Sequence, residues 1–153
     1  MVQLDGDVGV LANGAGLTMT TMDVVRHYGG EPANFLEIGG EAYTLGKPAL
    51  ELVLSNPNVK CLLVNFCGAF ARTDVMTEGI VNAWEELKPN LPVFFTIHGT
   101  NEDEAIAALS THSLRVGLTQ DLFANGEDAG SNAQALRWSS PATAIRYGRK
   151  LAP

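Results

Sequence analysis

One pattern constrains this chain more than any other: a short apolar run, a glycine-containing turn and an amphipathic stretch, repeated along its length. Apolar runs fall at residues 8–12, 34–38, 61–66 and 92–97, with a weaker one at 114–118. Between them, apolar residues recur at intervals of three and four, the spacing of one helix face. Leu17, Thr21, Val24, Val25 and Tyr28 share such a face, and so do Met76, Ile80, Ala83, Trp84 and Leu87. Ala49, Leu52 and Val53 mark another helix, and Ala105, Ala108 and Leu109 a fourth. Gly29-Gly30 and Asn56-Pro57 supply stop signals for the first two. Thr73 or Asp74 suits the start of the third, and Asn101 that of the fourth.

Strands that alternate with helices in this way predict the α/β class, a parallel sheet with helices on both faces. Five units in 153 residues predict a flavodoxin-like doubly wound sheet of about five strands, order 2-1-3-4-5 by run. The predicted domain covers residues 1–124. Residues 125–153 read as a small and polar segment with a basic tail. No acid occurs after Asp128, yet Arg137, Arg146, Arg149 and Lys150 fall there. A short helix near residues 132–138 and a solvated tail are expected.

The net charge of −7 argues against a nucleic-acid or anionic-membrane surface, which needs clustered Lys and Arg. An acidic chain can still hold an anion through a local device such as a helix N-terminus. Cys61 and Cys67 border an apolar run and read as small buried hydrophobes. Their spacing suggests neither a disulfide scaffold nor zinc. No apolar stretch has the length of a membrane helix, and the start does not read as a signal peptide. A cytoplasmic setting and no membrane partner are expected.

Ligands of doubly wound sheets bind beyond the carboxyl ends of the strands, where strand order reverses. Here that point lies between the first and third strands. The loops leaving them are Asn13-Gly14-Ala15-Gly16 and Phe66-Cys67-Gly68-Ala69-Phe70-Ala71. Small residues let main chain approach a ligand, and both loops open onto a helix whose first amides lack helical partners. The candidate anion site is therefore Asn13, Gly14, Gly16, Gly68, Ala69, Phe70, Ala71 and Arg72, with Arg72 able to fork onto a carboxylate. No Gly-Lys-Ser/Thr loop is present, and Gly14-x-Gly16 lacks the third glycine of the dinucleotide fingerprint. His98 ends the fourth strand, with no triad partner evident in its sequence neighbourhood. Glu102, Asp103 and Glu104 suit the positive end of a helix dipole. No catalytic residue and no metal ligand is predicted.

Several stretches resemble the carboxy-terminal domain of succinyl-CoA ligase β subunits. They are Leu4-Asp5-Gly6-Asp7-Val8-Gly9, Asn13-Gly14-Ala15-Gly16-Leu17, Thr21-Met22-Asp23 and His27-Tyr28-Gly29-Gly30-Glu31-Pro32-Ala33-Asn34-Phe35-Leu36. Gly39-Gly40 follows, then Val64-Asn65 with Gly68, Arg72 and Asp74, then Gly99-Thr100-Asn101. The resemblance covers about residues 2–110. It implies nucleotide-dependent formation of an acyl-CoA through a phosphohistidine and an acyl phosphate. It implies an α-like subunit holding CoA and the phosphohistidine, and an ATP-grasp domain or subunit holding ATP or GTP and magnesium. By the same resemblance this domain binds none of those cofactors. Its third-strand helix points at the phosphohistidine. Asn13, with the main-chain donors of Ala69, Phe70 and Ala71, takes the carboxylate of an acid such as succinate.

The chain departs from the family at Gly68-Ala69-Phe70-Ala71, where a second glycine followed by Ile-Val is usual, and at Thr96 and His98, where Arg and Glu are usual. The bulkier loop leaves the acid open. No ATP-grasp sequence is present, so activity is expected only with partners. The competing reading is a stand-alone, non-catalytic module for a small anion or CoA metabolite. A flavodoxin-like mononucleotide domain is a third reading, disfavoured because neither a flavin nor a phosphate loop is evident.

Overall fold

The computed structural model describes residues 1–39 and 41–111. Its elements are β1 (Val2–Gln3), β2 (Val8–Ala12), α1 (Ala15–His27), β3 (Asn34–Phe35), α2 (Ala42–Leu54), β4 (Cys61–Gly68), α3 (Thr73–Leu87), β5 (Val93–Gly99) and α4 (Glu102–Thr111). β2, β4 and β5 form a parallel sheet in that order. On the free side of β2, parallel bridges join Val8 to Pro32 and Ala12 to Glu37. The segment 32–38 thus runs beside β2, and four of the predicted strands take the predicted order. The predicted strand at 114–118, the helix near 132–138 and the tail lie outside the described residues. One feature was not predicted: β1 pairs antiparallel with β3.

The core follows from strand parity. Leu62, Val64 and Phe66 of β4 are completely buried, as are Val10, Leu11 and Ala12 of β2. Each such large side chain contributes about 1.5–3 kcal/mol of transfer free energy. α2, α3 and α4 pack in succession and share this core, and α1 packs against β2 and β4. α1 meets the opposite face of β4, whose odd residues are half-buried or, at Cys67, exposed: Asn65 Nδ2 donates to Thr21 Oγ1 at 2.9 Å. Met76, Ile80, Ala83 and Trp84 of α3 are buried as their spacing predicts, so Trp84 is core.

Two helix faces differ from expectation. α1 buries Thr18, Thr21 and Val25, and Tyr28 is exposed because it stands beyond the helix as its C-cap. There Gly29, at φ 83°, donates to the Arg26 carbonyl, and Gly30 to that of Val25. α2 turns Leu50 rather than Leu52 inward, and it starts well before the predicted face, carrying Pro48 within it. Leu50 and Leu52 lie two apart, about 200° around a helix, so only one can face the core.

An asparagine locks the sheet edge. Val10 N–H donates to Asn34 Oδ1 at 3.1 Å, and Asn34 Nδ2 donates to the Val10 carbonyl at 2.7 Å. A carboxamide carries the same donor and acceptor as a peptide, so it substitutes for strand main chain here. Asn34 is 2% exposed, which makes both bonds buried ones.

Candidate functional site

The carboxyl ends of β2, β4 and β5 meet on one rim. Asn13, just after β2, repeats the device of Asn34. Its Nδ2 donates to the Cys67 carbonyl at 2.8 Å, and Cys67 N–H donates to its Oδ1 at 2.8 Å. This strap joins the two loops that the sequence singles out. One Asn13 amide hydrogen remains for a ligand.

Past the strap, α1 begins at Gly14, with φ 98°. No side chain caps α1 and no acid lies in its first turn. Thr18 N–H is the first to reach back, to the Gly14 carbonyl at 3.0 Å. The amides of Ala15, Gly16 and Leu17 therefore lack helical acceptors. A Cβ placed on Gly14 or Gly16 would meet nothing within 4 Å, so the start of α1 opens onto free space. Across the strap, the N–H groups of Ala69, Phe70 and Ala71 have no acceptor among the described residues. Phe70 is fully exposed beside them.

Gly68 and Gly99 have a different task. A Cβ on Gly68 would stand 2.4 Å from the Ala71 carbonyl oxygen, and one on Gly99 would stand 1.9 Å from the Gly68 carbonyl oxygen. Their absent side chains let β4 and β5 close on the turn into α3. Thr100 completes that closure, donating N–H to the Gly68 carbonyl and Oγ1 to the Ala69 carbonyl, both at 3.0 Å.

The start of α3 is electrostatically occupied. Arg72 forks onto the Asp74 carboxylate, Nε at 3.2 Å and Nη2 at 2.6 Å. The predicted fork exists, but its acceptor is internal. Arg72 and the Asn101 side chain, together with the Val75 amide, hold the Asp74 carboxyl down at about 2, against an ordinary value of 3.8. Thr73 directs its hydroxyl and its N–H to the Thr100 carbonyl. Asn101, expected to cap α4, thus serves Asp74 and sits at φ 63°, a conformation asparagine tolerates. The open donors belong to α1 and to residues 69–71, rather than to the first turn of α3.

A depressed carboxyl stabilises the fold above its unfolded value and stops doing so as pH falls through its folded value. For Asp74 that window is pH 4 to 2. Arg72 is largely exposed, so solvent screens the pair and its contribution is small. Asp74→Asn is expected to flatten acid unfolding within that window, as followed by circular dichroism, and to leave stability at pH 7 slightly lower.

Register brings together residues that are far apart in sequence. Cys67 and His98 are paired across β4 and β5. Paired residues of a parallel sheet point to the same face. His98 Nδ1 lies 3.9 Å from Glu102 Oε2, which accepts the Gly99 N–H at 2.9 Å. Cys67 is exposed and Cys61 half-buried, so neither is the core residue predicted. Both stand at odd positions of β4, on the face that α1 covers only in part. The usable sequence signal was Cys67-Gly68 against His98-Gly99, two strand ends that align when their glycines are paired.

Among the described residues no group of three or more His, Cys, Asp or Glu side chains could hold a metal ion. None of their helices is long and apolar enough to cross a membrane.

An α/β domain with two glycine-lined strand-end loops joined over a row of open main-chain donors is the class these residues define. Residues 11–139 match the CoA-ligase family, and the chain belongs to it. It is 47% identical over 121 residues to the β subunit of the ADP-forming succinate–CoA ligase of Desulfurococcus amylolyticus, covering 78% of this chain and 32% of that protein. The corresponding subunit of Pyrobaculum islandicum is 44% identical over 137 residues, covering 88% of this chain and 34% of that one. For Bacillus subtilis the figures are 44% over 123 residues, 79% and 32%. The chain spans about a third of the length of these relatives.

Proposed function

We propose that this chain supplies the acid-binding part of an acid–CoA ligase, as a β-like component working with an α-like CoA-binding subunit and an ATP-grasp domain or subunit. The observation that carries this is the pairing of the uncapped start of α1, open above Gly14 and Gly16, with the unengaged amides of Ala69, Phe70 and Ala71. Such donors hold a carboxylate, or the more highly charged acyl phosphate made from it, without titrating. Asn13 keeps the two halves at one spacing and has one hydrogen left for the anion. Gly68 and Arg72 shape the loop, the latter through Asp74. The names of the relatives favour succinate as the acid.

The described residues do not fit magnesium, since they offer no cluster of ligands, and the sequence has no Gly-Lys-Ser/Thr loop. Nucleotide, magnesium, CoA and the phosphorylated histidine are assigned to partners in this proposal, and no step of theirs is routed through this chain. The proposed setting is cytoplasmic.

The test is reconstitution. The chain, mixed with candidate α-like and ATP-grasp partners, is expected to raise acid- and CoA-dependent nucleotide hydrolysis above that of the partners alone. No gain together with no co-purification would refute the ligase reading. Gly16→Glu places a carboxylate where the acid's own is proposed to sit. It is expected to raise KM for the acid roughly tenfold or more, while the melting temperature holds or rises because the acid suits the helix start. An unchanged KM would remove the start of α1 from the site.

A further inference from the structure

The proposed function makes no use of Cys67, His98 or Glu102, although the fold sets them side by side on the rim. Cys67 is a free, exposed thiol. Asn13 holds its peptide on both sides, so the thiol stands beside the loop that opens α1. His98 is its neighbour on β5, on the same sheet face, with Glu102 behind His98 Nδ1. A nucleophile beside a base, and a carboxylate beside that base, is an arrangement suited to thiol activation. Cys61, six residues earlier on the same strand, is the contrasting case. Burial pushes its thiol up, and its paired residue is Val8 of β2, which can take no proton.

We propose that Cys67, with His98 as its base, is a thiol-modification site that takes low-molecular-weight disulfides and closes the crevice when modified. The imidazole of His98 takes the Cys67 proton. The Cys67 sulfur attacks one sulfur of the disulfide RSSR, the S–S bond breaks, and a Cys67–S–S–R bond forms. RS⁻ leaves and collects the proton from His98, so that one thiol and one disulfide are exchanged for another thiol and another disulfide. The adduct then occupies the space between the start of α1 and residues 69–71. Glu102 is a positioning residue here, acting through His98.

The experiment uses the full chain and 5,5′-dithiobis(2-nitrobenzoate), with the modified residue located by peptide mass spectrometry. Cys67 is expected to react first and Cys61 at least roughly tenfold more slowly. His98→Ala is expected to slow Cys67 roughly tenfold or more and to remove the histidine inflection from the pH profile of the rate. His98→Ala should melt with the parent chain, since His98 is half-exposed. Repeating the measurement with neutral 4,4′-dithiodipyridine separates base assistance from attraction of an anionic probe. Equal reactivity of the two cysteines, or a rate and pH profile untouched by His98→Ala with both probes, would overturn the proposal. Neither readout depends on the chain being a ligase. If succinate fails to slow the reaction while His98→Ala still does, the thiol site stands and the acid site falls.

Discussion

Gly99→Ala is expected to cost roughly 3 kcal/mol or more, among the largest effects of any single methyl group in this chain. Two penalties coincide. The residue sits at φ 101°, where an L side chain is strained by about 1–3 kcal/mol. The added Cβ would also stand 1.9 Å from the Gly68 carbonyl oxygen. That oxygen accepts the Thr100 N–H, so it cannot retreat without releasing the closure of β4 on β5. Against a typical total stability of about 5–15 kcal/mol, much of the fold's margin would go. Urea denaturation reads this directly. An unchanged midpoint would mean that the turn relaxes around the methyl. Gly16→Ala is the control, since its Cβ meets nothing within 4 Å, and alanine there should stabilise α1 by about 0.5–1 kcal/mol.

Asn34→Leu is expected to cost about 3 kcal/mol despite adding apolar bulk to a buried position. The substitution leaves the Val10 N–H and carbonyl without partners at a site water does not reach, at about 1–3 kcal/mol for each group. The segment 32–38 should loosen from β2, since Asn34 is its side-chain link to that strand. Hydrogen exchange at Val10 reports the loss. Asn13→Ala removes the same pair of bonds at an exposed place, where water replaces the lost partners, so its stability cost should stay below about 1 kcal/mol. Its effect should appear instead in binding, with KM for the acid raised. Equal stability costs for the two asparagines would show that burial does not decide their roles.

These residues also show what the sequence makes legible. The four apolar runs among the described residues took strand positions because each is a short aliphatic or aromatic stretch set off by turn residues, and their order followed from the doubly wound pattern, which the right-handed crossover rule narrows. Trp84 could be read as core because α3 has one clear apolar stripe. α2 could not be read so well, since Leu50 and Leu52 compete and only packing chooses between them. The two loops of the candidate site were legible from their glycines, but the division of labour within them was not. Gly14 and Gly16 leave open space, whereas Gly68 and Gly99 make room for main chain, and composition alone does not separate these tasks. Arg72 and Asp74 read as a free cation and a helix cap until their side chains were seen to fork together. Cys67 and His98 stand 31 positions apart, and only register reveals them as neighbours.

The proposed carboxylate site lies between the start of α1 and residues 69–71. Titration of the ¹⁵N-labelled chain with succinate, followed by amide NMR, tests it most directly. The expected result is saturable shifts at Ala15, Gly16, Leu17 and Ala69–Ala71, abolished by Gly16→Glu. Shifts confined to other parts of the chain, or shifts at these amides that survive Gly16→Glu unchanged, would contradict it.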